Sequence, residues 1–246
     1  MREEPMNQTR KIAILAGVLF IIATAASLLS LPFLAPLNAS TYLTSVATNE
    51  NQIILGAFLT FLSALASASI AIALYPLLRR YAEGFALGSV GFRIIEGVLY
   101  TVGAIFILLL LAVSQEFVTS GVQNASYFQT LGVVFLTGYH WVSFVGGPIA
   151  FSVGALLYYV IFYQTHLIPR WLAGWGLVGA ILCIVASLFV MFRLIAPLST
   201  VQVVLSLPIA VQEMILAVWL LVRGFNVSAI ASLSAKTEAN EILISS

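Results

Sequence analysis

The stretch Gly91-Phe92-Arg93-Ile94-Ile95-Glu96-Gly97-Val98-Leu99-Tyr100 decides how this chain is read. It opens a long apolar run and sets an arginine and a glutamate three residues apart inside it. On a helix, that spacing puts both side chains on one face, within reach of each other. A charge at bilayer depth is costly unless it is paired or faces water, so such residues point into the protein. The remainder of the chain is therefore expected to pack around this face as a membrane bundle.

Composition points the same way. The chain is 61% apolar and only 8% charged, with a mean hydropathy of +1.09. Soluble domains carry about 25% charged residues, so this chain has too few to cover a globular surface. Its 246 residues hold about six spans of ~20 residues joined by short loops. The expected fold is all-α: a polytopic domain of six transmembrane helices over residues 1–225, followed by a polar, mobile tail over 226–246. The lipid bilayer is the first partner. A net charge of +1 leaves no footprint for nucleic acid, and the pattern carries no signal for an oligomeric state.

Cysteine usage excludes several chemistries. Cys183 is the only thiol and sits in an apolar run, where a small packed side chain is expected. One thiol allows no internal disulfide, no Cys-x-x-Cys pair and no cysteine zinc site. All nine acidic residues are glutamates. Membrane enzymes built on aspartate clusters or a catalytic aspartate pair are thereby excluded. No Gly-rich phosphate loop, nucleophile elbow or zinc-protease helix motif is present, so the reading leans away from an enzyme.

The spans follow in order. The first runs from Lys11 to about Leu34, too long for a signal-peptide core of about 7–15 residues. The second covers 53–78 and carries Ser63, Ser67 and Ser69 among alanines, a small-residue pattern that packing alone explains. The third covers 84–113. The fourth covers 131–163, with a kink expected at Gly146-Gly147-Pro148 because proline removes a backbone donor. The fifth covers 171–195, with Gly174, Gly176 and Gly179 available for close packing and Arg193 near its far end, where it can snorkel. The sixth covers 201–222 and holds Glu213. The connections 37–52 and 114–130 read as polar loops.

Eight of the ten basic residues, Arg2, Arg10, Lys11, Arg79, Arg80, Arg170, Arg223 and Lys236, fall at the N-terminus, loops two and four, and the C-terminus. Loops one, three and five have none, Arg93 and Arg193 being placed within spans. The positive-inside rule then puts both termini in the cytoplasm.

Several of these residues together resemble a known family. They are Ala16-Gly17 after the basic start, Arg93-Ile94-Ile95-Glu96, His140, and Ile168-Pro169-Arg170-Trp171-Leu172-Ala173-Gly174. Pro208-Ile209-Ala210-Val211-Gln212-Glu213 and Trp219-Leu220-Leu221-Val222-Arg223-Gly224 complete the set. The chain resembles, from Arg10 to about Phe225, the mostly bacterial membrane proteins grouped as domain of unknown function 4386. The resemblance implies a multi-pass protein of the cell membrane, a bacterial inner membrane, and carries over no chemistry. Members often have an acidic residue after the histidine, where this chain has Trp141. That departure argues against a proton relay at His140.

The candidate intramembrane polar site comprises Arg93, Glu96, Glu213 and His140. At 1.5 Å per residue, Arg93 and Glu96 lie about 10 and 15 Å into span three, and Glu213 lies about 13 Å from the end of span six. Three charges at one depth would leave two carboxylates around one guanidinium, and burial beside a like charge favours a proton on one of them. Two readings stay open: a site that binds or moves a small or amphipathic molecule, a lipid, or protons; or a structural or regulatory protein whose buried charges are helix glue. A cavity reaching the carboxylates would favour the first, and a dry, fully paired cluster the second. No cofactor or metal is expected. His140 and His166 are 26 residues apart, about 39 Å along a helix, and cannot share a haem. The triplets at Asn38 and Asn124 match a glycosylation pattern that arises often by chance. Trp171 and Trp175 fit an aromatic belt.

This topology is tested by reporter fusions. Fusions after Thr48, Asn124 and Ser199 should read as external and those after Arg80 and Ser228 as internal; one reversed loop breaks the six-span arrangement.

Overall fold

The computed structural model describes residues 4–120 and 125–231, with side chains from residue 8 onward. Arg2, Asn124, Lys236 and residues 232–246 of the expected tail lie outside the described residues. Eight α-helices follow in order: α1 (Glu4–Phe33), α2 (Tyr42–Thr48), α3 (Glu50–Leu78), α4 (Glu83–Ser120), α5 (Ala125–Trp141), α6 (Gly147–Thr165), α7 (Arg170–Met191) and α8 (Thr200–Val222). No strand occurs among the described residues. Long apolar runs take this form because only a helix satisfies its own backbone polar groups in lipid. Helices α1, α3, α4, α7 and α8, with α5 and α6 joined as one, supply six segments long and apolar enough to cross a membrane. The protein is a multi-pass membrane protein.

The six spans close into a ring in which α1 packs on α3, α3 on α4, α4 on α6, α6 on α7, α7 on α8, and α8 back on α1. Each of these interfaces has a glycine at a close approach. A Cβ at Gly17 of α1 would lie 2.9 Å from the Ala217 carbonyl oxygen, and one at Gly179 of α7 would lie 3.0 Å from the Ile209 backbone. Gly56 meets the end of α1, Gly97 meets α3, Gly154 meets Arg93, and Gly176 meets the Tyr159 ring. Lipid tails are as apolar as the helices, so association rests on such packing rather than on a hydrophobic drive.

Several connections differ from their sequence reading. Residues 37–52 are not a plain polar loop: α2 buries Leu43 and Val46 against α4. With Leu34, Ile53, Ile107, Leu110 and Tyr139 these build a second small core at that end of the bundle. The third loop shrinks because α4 continues to Ser120 and α5 begins at Ala125. The described start of the tail is docked: it is helical from residue 227, with the Tyr81 hydroxyl donating to the Ala229 carbonyl at 3.4 Å.

Arg193 is corrected as well. It lies past the end of α7 with φ 57°, exposed in the fifth loop rather than inside a span. That end of the bundle therefore carries one basic residue. The other end still carries Arg10, Lys11, Arg79, Arg80, Arg170 and Arg223.

The bend before Pro148 is a π-helical turn at Val142–Gly146. Proline cannot donate to the Phe144 carbonyl one turn back. The Gln202 side-chain amide reaches that carbonyl at 3.5 Å. Gln202 also accepts from the Leu198 N–H at 2.7 Å, while Ser199 caps α8 by accepting from the Gln202 N–H. One side chain thus opens α8 and ties it to the bent span.

The close approach at Gly179 can be tested against an open position. Gly179→Ala should destabilise the detergent-solubilised protein by about 1–3 kcal/mol, the usual range for overpacking. Gly91→Ala meets nothing within 4 Å and should leave the thermal midpoint unchanged or raise it. Equal midpoints for the two variants would rule out tight α7–α8 packing.

Candidate functional site

The cluster around Arg93 draws side chains from three other spans. Its own helix supplies Glu96, whose Oε2 lies 3.1 Å from Arg93 Nη1. Helix α8 supplies Glu213, with Oε1 3.9 Å from Arg93 Nη2. Helix α3 supplies Ser67, whose hydroxyl donates to Glu96 Oε1 at 2.7 Å. Helix α6 supplies the Phe151 ring, 4.7 Å under the guanidinium carbon, and Tyr158, whose hydroxyl donates to Glu213 Oε1 at 3.2 Å. Gly154 makes room, since a Cβ there would lie 3.0 Å from Arg93 Cγ.

The ring is held by more than this cluster. Next to Tyr158, the Tyr159 hydroxyl donates to Gln212 Oε1, and the Gln212 amide donates to the Leu172 carbonyl at 3.0 Å. Three helices, α6, α7 and α8, are joined by that chain of bonds.

The two carboxylates are not equivalent. The side chains of Arg93 and Glu96 are 1% and 3% exposed, that of Glu213 10%. Glu96 is tightly paired and also hydrogen-bonded, whereas Glu213 is held at a looser distance. The pairing leaves polar capacity unused. Arg93 Nη1 and Glu96 Oε2 touch off the hydrogen-bond direction, and Arg93 Nε has no acceptor. A buried donor without a partner is unfavourable unless something else meets it.

A cavity of about 290 Å³ lies against this cluster. Arg93, Glu96, Glu213, Ser67, Gln202 and Cys183 all line it. The rest of its wall mixes apolar side chains, Phe144, Phe151 and Ile209 among them, with the hydroxyl-bearing Thr24, Ser27, Ser63, Tyr100 and Ser206. Phe20 of α1 and Tyr158, Tyr159 and Phe162 of α6, all fully buried, lie nearer the basic ends of those helices than the cavity residues Ala23 and Phe151. To the side, Thr24, Leu28 and Ala210 line both this cavity and an apolar groove of about 630 Å³ between α1 and α8.

Of the four residues singled out in the sequence, three converge and one does not. His140 stands apart in a hollow with Trp141 and Arg193, its ring 5.7 Å from that of Phe144. Ser67 was read as packing and is instead a hydrogen-bond donor to Glu96. Tyr158, Phe151 and Gln202 were not singled out. The Tyr158–Tyr159 pair inside an apolar span was the available signal, because a buried hydroxyl usually finds a partner.

The family described as Domain of unknown function (DUF4386) matches residues 15–224. No curated protein and no solved structure matches the chain.

Double-mutant cycles test the coupling within the cluster. Breaking a buried pair by removing one partner costs about 3–5 kcal/mol, and removing both costs less. Arg93→Met should therefore lower folded yield and thermal midpoint more than Arg93→Met with Glu96→Gln. A non-zero coupling between Arg93 and Glu213 is also expected. Strict additivity in both cycles would mean that the charges sit in separate environments.

Proposed function

The chain belongs to the DUF4386 family, and on the geometry of its charged cavity we propose that it binds a small amphipathic molecule within the bilayer. The observation that carries this reading is that the charged cluster opens onto a cavity instead of being sealed among side chains. Glu96 already holds Arg93 at 3.1 Å, which leaves Glu213, the least buried and most loosely paired of the three, as the group that can meet a ligand. It suits a cationic or hydrogen-bond-donating group. The apolar part of the wall, Phe144, Phe151 and Ile209 among it, suits the rest of the molecule. At about 290 Å³ the cavity is at the small end for ligand sites.

Access from the lipid side is supported by the residues that the cavity shares with the α1–α8 groove. Passage through the bundle, for a solute or for protons, has less support. Against it stand Phe20, Tyr158, Tyr159 and Phe162, fully buried on the basic-end side of Ala23 and Phe151 along α1 and α6. The rival reading, in which the charges only clamp α4 to α8, requires the cavity to be inaccessible.

Cys183, the chain's only cysteine, lines the cavity and serves as a native reporter. In membranes it should react with a small uncharged maleimide. At least one member of a panel of long-chain amines, alcohols and fatty acids should slow that labelling several-fold in the wild type. Glu213→Gln should weaken the protection. A Cys183 that reacts only after denaturation, or that no amphiphile protects, would leave the clamp as the better account.

A further inference from the structure

A second concave site lies at the basic end, away from the charged cavity. There the α6–α7 turn and the exit of α8 surround a hollow of about 300 Å³ lined by His166, Arg170, Trp219, Arg223 and Asn226. Its walls are structurally set. His166 ends α6 at φ 57°, and Gly224 turns the chain after α8 at φ 71°. The Asn226 N–H donates to the Leu167 carbonyl at 2.9 Å, and Phe225 is buried with its ring 6.0 Å from that of Phe162.

The charge around this hollow is of one sign. Arg170, Arg223 and His166 are exposed, and no acidic side chain lines it among the described residues. Among the described residues neither arginine is in an ion pair. Arg170 rests over the Tyr163 ring at 5.5 Å, which steers its guanidinium without neutralising it. The neighbouring Arg10 is committed differently, donating to the Leu220 and Leu221 carbonyls at 3.1 and 2.6 Å. No side chain caps the first turn of α7, so the positive end of that helix adds to the field.

Trp219 and Arg223 also line the groove between α1 and α8. Apart from Thr24 and Arg223, every side chain along that groove is apolar, among them Leu207, Met214, Ile215 and Val218. A basic hollow thus meets an apolar groove at one tryptophan and one arginine. One leaflet offers about 15 Å of hydrocarbon, half the usual core. That length of α8 runs from Arg223 to about Met214.

We propose that this composite surface docks one anionic phospholipid, with its phosphate among Arg170, Arg223 and His166 and one acyl chain along the α1–α8 groove. The charge selects the headgroup and the groove selects the chain. Neither feature requires the ligand reading of the Arg93 cavity. The site depends on residues at the basic end and on the walls of the α1–α8 groove.

The test uses the full chain reconstituted in mixed vesicles with chain-brominated phosphatidylglycerol or chain-brominated phosphatidylcholine, read by quenching of tryptophan fluorescence. A basic residue near the surface is worth roughly a 5-fold preference for anionic lipid, so the wild type should favour phosphatidylglycerol by more than 5-fold. Arg170→Gln with Arg223→Gln should abolish the preference, and Arg170→Lys with Arg223→Lys should keep most of it. Arg79→Gln with Arg80→Gln, basic but outside the hollow, should change it little. The side chains replaced at 170 and 223 are exposed, and unchanged thermal midpoints would confirm folded variants. Soluble glycerol 3-phosphate should not compete at concentrations near that of the lipid. The proposal is overturned by no headgroup preference in the wild type, by an equal loss in the Arg79/Arg80 variant, or by effective competition from glycerol 3-phosphate.

Discussion

Arg93 sets the central constraint on this bundle. A guanidinium at bilayer depth cannot be left alone, and it cannot neutralise itself as a lysine or histidine can. Its charge must be met where it stands, by groups that themselves come from different helices. Glu96 comes from the same helix, but Glu213 lies more than a hundred residues later. Satisfying Arg93 therefore requires α4 and α8 to face each other across the ring, with Ser67 of α3 and Tyr158 of α6 completing the hydrogen bonds. Desolvation offsets much of the attraction in such a cluster, so breaking it by removing one partner costs more than the intact cluster contributes.

Close packing makes that arrangement reachable. A glycine sits at each of the six interfaces of the ring, so helices come near enough for short polar side chains to bridge them. The exception is the stretch of α1 and α8 beyond Gly17, where Ser27 and Leu28 are exposed and the groove and cavity share a boundary. The bend at Pro148 belongs to the same design. It frees the Phe144 carbonyl, brings Phe144 and Pro148 to the cavity wall, and is tied to α8 through Gln202. Bent backbone at membrane depth is tolerated where protein groups take up the freed polar atoms.

The two ends of the bundle differ in character. The end that holds α2 is closed by a small hydrophobic core and carries Arg193 as its basic residue among those described. The opposite end collects arginines around the helix turns, and the described start of the tail is pinned there by Asn226 and Tyr81. A polar cavity in mid-membrane, an apolar groove beside it and a basic hollow at one end are thereby continuous along α8.

The sequence by itself determined the membrane class, the six spans and the identity of the charges that need partners. Hydropathy over ~20 residues and the cost of a buried charge are local properties, readable without knowing any neighbour. Estimated depth along each helix also pointed to the meeting of Arg93, Glu96 and Glu213. Depth alone could not place Ser67 or Tyr158, because rotation about each helix axis decides which polar side chains turn inward. Nor could it show that Leu43 and Val46 fold residues 42–48 into a helix, since seven residues carry too short a period. Arg193 was misplaced because apolar residues continue past Met191 although the helix does not, and helix ends are decided by backbone geometry. Whether the charges enclose a cavity or exclude one was decided only in three dimensions. It depends on how far six helices approach one another, and that distance is set by pairs of residues remote in the chain.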